Sequence, residues 1–306
     1  MSVSNEINRL INAKAAIKQS IVNKGVDVSD SALLDEYPAL IDSISGGGVE
    51  GEPPYKMWWN AATDNGTRCA YLFYGCKSIT SLNLSDFDTS NVTDMQYMFY
   101  NCTNLTTLDV SNWNTSNVTS MLYMFANCNQ LTSLDVSNWN TSKVTTMKHM
   151  FYWCDKLTSL DVNNFDTSNV TNMSYMFCGC NNLTSLDLSN FDTSKVTNMT
   201  YMFSGCNKLI ELNMSNCDIS KVTSSSNISG AFSSCTALVD FQAPKNISAN
   251  MDVSSSTALS HDSLMSIINN LITTTSSKTL TLGATNLAKL TADEIAIATN
   301  KGWTVK

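Results

Sequence analysis

The chain has 306 residues, 43% of them hydrophobic and only 14% charged, and its acids outnumber its bases 26 to 18 for a formal net charge of −8. That balance argues against a nucleic-acid partner, because binding phosphate backbones needs clustered Lys and Arg. No apolar run approaches the roughly 18 residues of a membrane span, and two histidines, His149 and His261, leave little scope for imidazole chemistry.

In chain order, Met1 to Glu6 lacks the basic and apolar regions of a secretory signal. Ile7, Leu10, Ile11, Ala13, Ile17 and Ile21 then recur at helical spacing, predicting an amphipathic helix over residues 5–24 that Gly25 ends. Ser29 or Asp30 can cap a second helix through Leu33, Leu34, Tyr37, Leu40, Ile41 and Ile44, with Pro38 able to kink it. Residues 1–45 thus read as a helical docking segment, and 46–54, with Gly46-Gly47-Gly48 and Pro53-Pro54, as a flexible linker. Met57 to Cys76 looks like a degenerate first repeat, with Trp58 and Trp59 placed to cover the open end of a core.

From there a repeat dominates. Phe73, Phe99, Phe125, Phe151, Phe177 and Phe203 are each 26 residues apart, and so are Cys76, Cys102, Cys128, Cys154, Cys180 and Cys206. Leu82 to Leu212 and Val92 to Val222 form two more columns at that spacing. A fixed period in the range of about 20–50 residues is the signature of a solenoid, whose units bury their apolar faces only against one another.

One unit shows the expected path. Leu186 and Leu188 alternate with polar residues, as in a strand with one buried face. Asp192-Thr193-Ser194 makes a polar corner able to cap a helix, and Val196, Met199, Met202 and Phe203 recur at helical spacing. Gly205-Cys206-Asn207 returns the chain to Leu209. Val222 to Phe232 spans ten residues where other repeats have seven, so Ser224-Ser225-Ser226 is expected to bulge outward.

After Pro244 the period lapses. Ser260 is placed to cap a helix containing Leu264, Ile267, Ile268 and Leu271; Leu280 and Leu282 suggest a strand. Thr291 to Glu294 is a capping box opening a last helix, which Gly302 stops before Trp303 and Val305. Residues 55–243 are thus expected to form the repeat array and 244–306 its capping region.

The run Leu-Thr-Ser-Leu-Asp-Leu-Ser-Asn-Phe-Asp-Thr-Ser at 183–194, followed by Met-Phe-x-x-Cys-x-x-Leu, resembles the BspA-like leucine-rich repeats, the bacterial-surface 26-residue repeat. The resemblance covers about Leu82 to Phe241. It implies an α/β fold: a leucine-rich-repeat solenoid with a parallel sheet and a short helix per repeat, used for adhesion rather than catalysis. The Ile-Asn-x-Ala-Lys-x-x-Ile text of the leader, Tyr37-Pro38 and the ending Glu-Ile-Ala-Ile-Ala-Thr-Asn-Lys-Gly-Trp resemble segments of bacteriophage tail and baseplate proteins. Those matches imply that residues 1–45 dock to phage structural proteins while the solenoid points outward.

Four features can carry chemistry, and each has a plainer reading. The periodic Cys fall beside the Phe column, so they read as reduced core thiols rather than a disulfide framework or a metal site. Asp109, Asp135, Asp161 and Asp187 share one face of the expected sheet, forming either a hydrogen-bonded solvated ladder or a row for a ligand or hard cation. Tyr97, Tyr123, His149, Tyr175 and Tyr201, with Tyr71 before them, form an aromatic row that is either a contact surface or a cover over the neighbouring repeat. Asn-Val-Thr sequons such as Asn91-Val92-Thr93 follow from composition, not processing.

No nucleophile–base pair, metal cluster or phosphate loop is present in the text of the chain, so no catalytic residue and no cofactor is expected. The expected function is a non-enzymatic virion recognition protein of a phage tail or baseplate, binding a host-surface glycan or protein. The particle can hold it as a homo-oligomer. The alternative is a bacterial cell-surface adhesin or lipoprotein built from the same repeat.

Overall fold

The computed structural model describes residues 67–306, apart from 78, 83, 85 and 86. The expected helical pair, the linker, and the Trp58 and Trp59 cover lie outside the described residues.

The described chain is mixed α/β, with three small parallel sheets and few helices. The leucine alternation forms strands only two or three residues long. β1 (Ser81–Leu82) pairs with β2 (Thr107–Leu108), and β3 (Ser185–Asp187), β4 (Glu211–Asn213) and β5 (Asp240–Gln242) form a second sheet. The register of the first two pairings, Leu82 to Leu108 and Leu186 to Leu212, is the 26-residue sequence period. Local chemistry cuts β2 and β3 short: Asp109 and Asp187 turn their Oδ1 back to accept the backbone N–H of Ser111 and Ser189, which curls the chain out of the sheet, and Asp135 does the same with Ser137 where no strand forms.

The segment expected to be a helix in each repeat is not one. Its apolar residues do face the core: Val92, Met95, Met98 and Phe99 are completely buried. The backbone, however, runs through successive three-residue turns, Met98 N–H to Met95 O, Tyr100 N–H to Tyr97 O and Cys102 N–H to Phe99 O. The intervening donors leave the unit altogether. Tyr97, Phe99 and Asn101 give their N–H groups to the carbonyls of Leu122, Met124 and Ala126 at 2.8 Å. An α-helix needs every N–H for the carbonyl four residues back, so a segment that exports alternate donors cannot be helical. Tyr97 and Asn101 also stand at φ +56° and +64°, the left-handed region, which reverses the chain within each would-be turn.

Two hydroxyl columns close the ladder. Thr89, Thr115, Thr141, Thr167 and Thr193 are buried, and each donates its hydroxyl to a carbonyl of the following repeat at 2.8–3.0 Å. Thr119, Thr145, Thr171 and Thr197, each next to the buried Val column, donate both N–H and O–H to the threonine carbonyl one repeat earlier.

Between the ladders one continuous core runs from Cys69 to Trp303. The expected columns lie in it, with Leu82 only partly buried. Cys102, Cys128, Cys154, Cys180 and Cys206 are buried thiols, and each donates its S–H to the carbonyl of the preceding repeat's Phe. That carbonyl also accepts an N–H from its own repeat, as Phe125 O does from Cys128.

The three extra residues of the last repeat form a single 3₁₀ turn, Ser225–Asn227, capped by Ser224 and standing exposed as expected. Beyond it, α1 (His261–Asn270) is capped by Ser260, and α3 (Ala292–Asn300) carries the expected box between Thr291 and Glu294. Three elements were not anticipated: β6 (Met251–Asp252), the one-turn helix α2 (Ala284–Leu287) and the closing strand Trp303–Val305. β6, β7 (Lys278–Thr281) and β8 (Trp303–Val305) form the third parallel sheet, so parallel pairing continues after the sequence period has lapsed. Among the described residues no helix is long and apolar enough to cross a membrane.

Candidate functional site

The left-handed residues determine where the aromatic row stands. Tyr71, Tyr97, Tyr123, His149, Tyr175 and Tyr201 all have φ between 52° and 65°, which swings each side chain away from the core beneath it. Their rings stack in one column, with centroids 4.9, 4.7, 4.1, 4.4 and 5.1 Å apart in chain order. Each ring lies against the ring of the neighbouring repeat, and most remain partly exposed. Their faces are occupied by one another, however, so the ladder presents ring edges and hydroxyls to a partner.

A second, interrupted column flanks it. Tyr74 stacks on Tyr100 at 4.9 Å, and Tyr100 and Tyr152 meet ladder rings edge-on. Burial and the surrounding phenols push the Tyr97 hydroxyl up to about 12. His149 is the exception within the row. It is only 8% exposed, sandwiched between Tyr123 and Tyr175, with Nε2 at 3.3 Å from the Tyr123 hydroxyl. Its Nδ1 is buried without a hydrogen-bond partner, and burial, helped by Lys148, lowers its pKa to about 4.

The acidic row lies elsewhere. Asp109, Asp135 and Asp161 line a shallow open groove of about 790 Å³ with Ser81, Thr107, Ser133 and Ser159. Asp187 belongs to a second groove of about 260 Å³, with Glu211, Asp240 and Gln242. All four carboxylates are solvent-exposed and engaged by the residue two ahead, a serine or, for Asp161, Asn163. The hydrogen bonds from Ser111 and Ser137 hold Asp109 and Asp135 below the usual carboxylate value. No residue of the aromatic row lines either groove. Each carboxylate accepts the backbone N–H two residues ahead, and Asp109 and Asp135 accept the serine hydroxyl there as well.

Sequence reasoning missed Trp153. It stands at φ +55° with 44% of its surface exposed, in a column otherwise filled by Gly75, Asn101, Asn127, Gly179, Gly205 and, past the insertion, Ser234. A bulky side chain where the repeat uses Gly, Asn or Ser was the available signal. Glu211 and Asp240, which extend the strand-face acids, were also passed over because their repeats depart from the Leu-Asp pair. Among the described residues no group of three His, Cys, Asp or Glu side chains could hold a metal ion.

The model of the family described as "Mycoplasma protein of unknown function, DUF285" matches residues 67–160 and 154–261, more than half of the chain. No curated protein matches it.

Proposed function

Since the chain belongs to the family described as Mycoplasma protein of unknown function, DUF285, we propose that it is a non-enzymatic surface-recognition protein built on a leucine-rich-repeat solenoid. The observation that carries this reading is the aromatic ladder, six rings in one column at the repeat period. A periodic surface suits a partner that is itself extended, such as a host-surface glycan or protein. Weak contacts repeated along it, and over several copies, sum to firm attachment.

In the first form of this proposal the protein sits in a phage tail or baseplate, docked through residues 1–45, with the solenoid facing the host. The resemblance of the leader and the ending to phage proteins supports it. A second form, a bacterial cell-surface adhesin, is favoured by the family's description, which names a cellular bacterium. Mass spectrometry of purified virions, set beside protease shaving of intact producing cells, separates the two. Virion incorporation that depends on residues 1–48, with attachment to host cells retained without them, is the expected result. A full chain that attaches to no bacterial surface overturns both forms.

A further inference from the structure

The repeat at 147–156 breaks two of the left-handed columns. It puts His149 in the tyrosine ladder, and it puts Trp153 in a column of Gly, Asn and Ser. Every residue of that column has positive φ, 55° at Trp153 and 62–80° at Asn101, Asn127, Gly75, Gly179 and Gly205. Gly and Asn are the residues that accept such a backbone easily, and a bulky side chain there is strained. Folding therefore gives no reason for tryptophan at this one position.

The ring is nonetheless held firmly. A side chain begun at Gly179 would meet Trp153 Cγ and Cδ2 at 2.9 Å, so the indole lies flat over the bare backbone of the next repeat. Tyr152 braces it edge-on, with centroids 6.4 Å apart and planes at 77°, and His149 in turn braces Tyr152 at 5.1 Å. The His149 imidazole beneath this brace carries the buried, unpartnered Nδ1. Among the described residues no ring stacks on the indole, whereas each ladder ring from Tyr97 to Tyr175 has a ring on both faces.

Polar side chains follow the indole in the chain: Asp155 accepts from Asn181 at 2.7 Å, and Lys156 stands half-exposed 4.0 Å from its carboxylate. An exposed indole followed so closely by hydrogen-bonding side chains matches a pyranose, which has one face of C–H bonds and a rim of hydroxyls. An apolar small molecule would want an enclosed pocket, and Trp153 stands on an open surface.

We propose that Trp153 is the platform of a single sugar subsite, on which one pyranose ring of a surface glycan lies with its C–H face against the indole. This rests on the surface-recognition reading above and gives that reading its ligand class. It adds one flat platform beside the ring edges that the ladder presents.

The test uses the full chain, its Trp153→Asn and Trp153→Phe variants, and cellohexaose and chitohexaose as probes in saturation-transfer NMR and calorimetry. Asn already occupies this column twice, so Trp153→Asn is expected to melt at the wild-type temperature or slightly above. The expected result is binding by wild type, a loss of at least about tenfold in Trp153→Asn and a milder loss in Trp153→Phe. Undiminished binding by Trp153→Asn, or no binding of either probe by wild type, overturns the sugar subsite. A parallel assay on whole bacterial cells separates this failure from failure of the underlying reading. If wild type and Trp153→Asn attach equally well, recognition stands and the subsite falls. If protease treatment of the cells abolishes attachment, the partner is a protein and the subsite again falls. If wild type attaches to no cells, the recognition reading itself falls.

Discussion

The ring of Tyr201 occupies the space where a side chain at Gly230 would begin: a Cβ there would meet Tyr201 Cε1 and Cδ1 directly. Gly230 is the position at which the tyrosine column would continue, displaced by the three inserted residues, and it keeps the left-handed backbone at φ +64°. The ladder therefore ends on a residue that has no side chain to stack. Gly230→Ala adds both backbone strain and a clash, and is expected to cost about 2–4 kcal/mol in urea unfolding. Gly75→Asn, where a Cβ would meet nothing within 4 Å, is expected to cost under about 1 kcal/mol. Equal effects at the two glycines would show that the Tyr201 contact contributes nothing.

The buried threonine column is expected to matter through its hydroxyls. Thr141 is fully buried and donates to Asp166 O at 2.9 Å. Thr141→Val keeps the shape and strands that carbonyl, so a loss of about 1–2 kcal/mol is expected. Thr141→Ser, which keeps the donor and leaves a methyl-sized gap, is expected to show a loss of about 1 kcal/mol from packing instead. Stability unchanged in Thr141→Val, measured by denaturant midpoint, would remove the hydroxyl ladder from the account.

The periodic thiols are expected to be inert while the chain is folded. Burial pushes Cys128 up to about 12 and holds Cys102, Cys154, Cys180 and Cys206 well above the ordinary thiol value. Thiolate, the reactive form, is therefore scarce at neutral pH. Labelling with a maleimide should be slow in buffer and rapid in urea, read site by site by peptide mass spectrometry. Rapid native labelling at Cys128 or Cys154, or a disulfide between neighbouring repeats, contradicts this packing.

His149 should make stability fall on mild acidification. Its folded pKa is about 4, against an unfolded value of about 6.5. Between those values the unfolded chain binds a proton that the folded chain refuses, so stability is complete above about pH 6.5 and declines toward pH 4. The groups facing it are Tyr123, Tyr152, Tyr175 and Lys148, none of which offers a carboxylate to offset the charge. A loss of roughly 1–2 kcal/mol is expected, allowing for screening at the surface. His149→Tyr, the residue the column uses elsewhere, should flatten the melting profile over pH 4–6.5. Asp109 and Asp135 act only below that window, since their pKa values lie under the usual carboxylate range. An unchanged slope in His149→Tyr would assign the pH dependence elsewhere.

The 26-residue period, the buried columns, the free buried thiols, the outward serine turn and the caps at Ser260 and Thr291 were all legible in the sequence. Burial repeats when the units repeat, so Phe125 and Phe151 announce the same core position, and a helix cap needs only residues within its own first turn. Tertiary structure alone decided that Val92 to Phe99 is not a helix. Apolar residues three and four apart serve an α-helix and a run of tight turns equally well. What separates them is the destination of the backbone donors, and Tyr97, Phe99 and Asn101 send theirs to a repeat 26 residues away in the chain. The same long-range pairing continues the parallel ladder into β6, β7 and β8, where no side-chain period marks it, because backbone hydrogen bonds carry no sequence signature of their own.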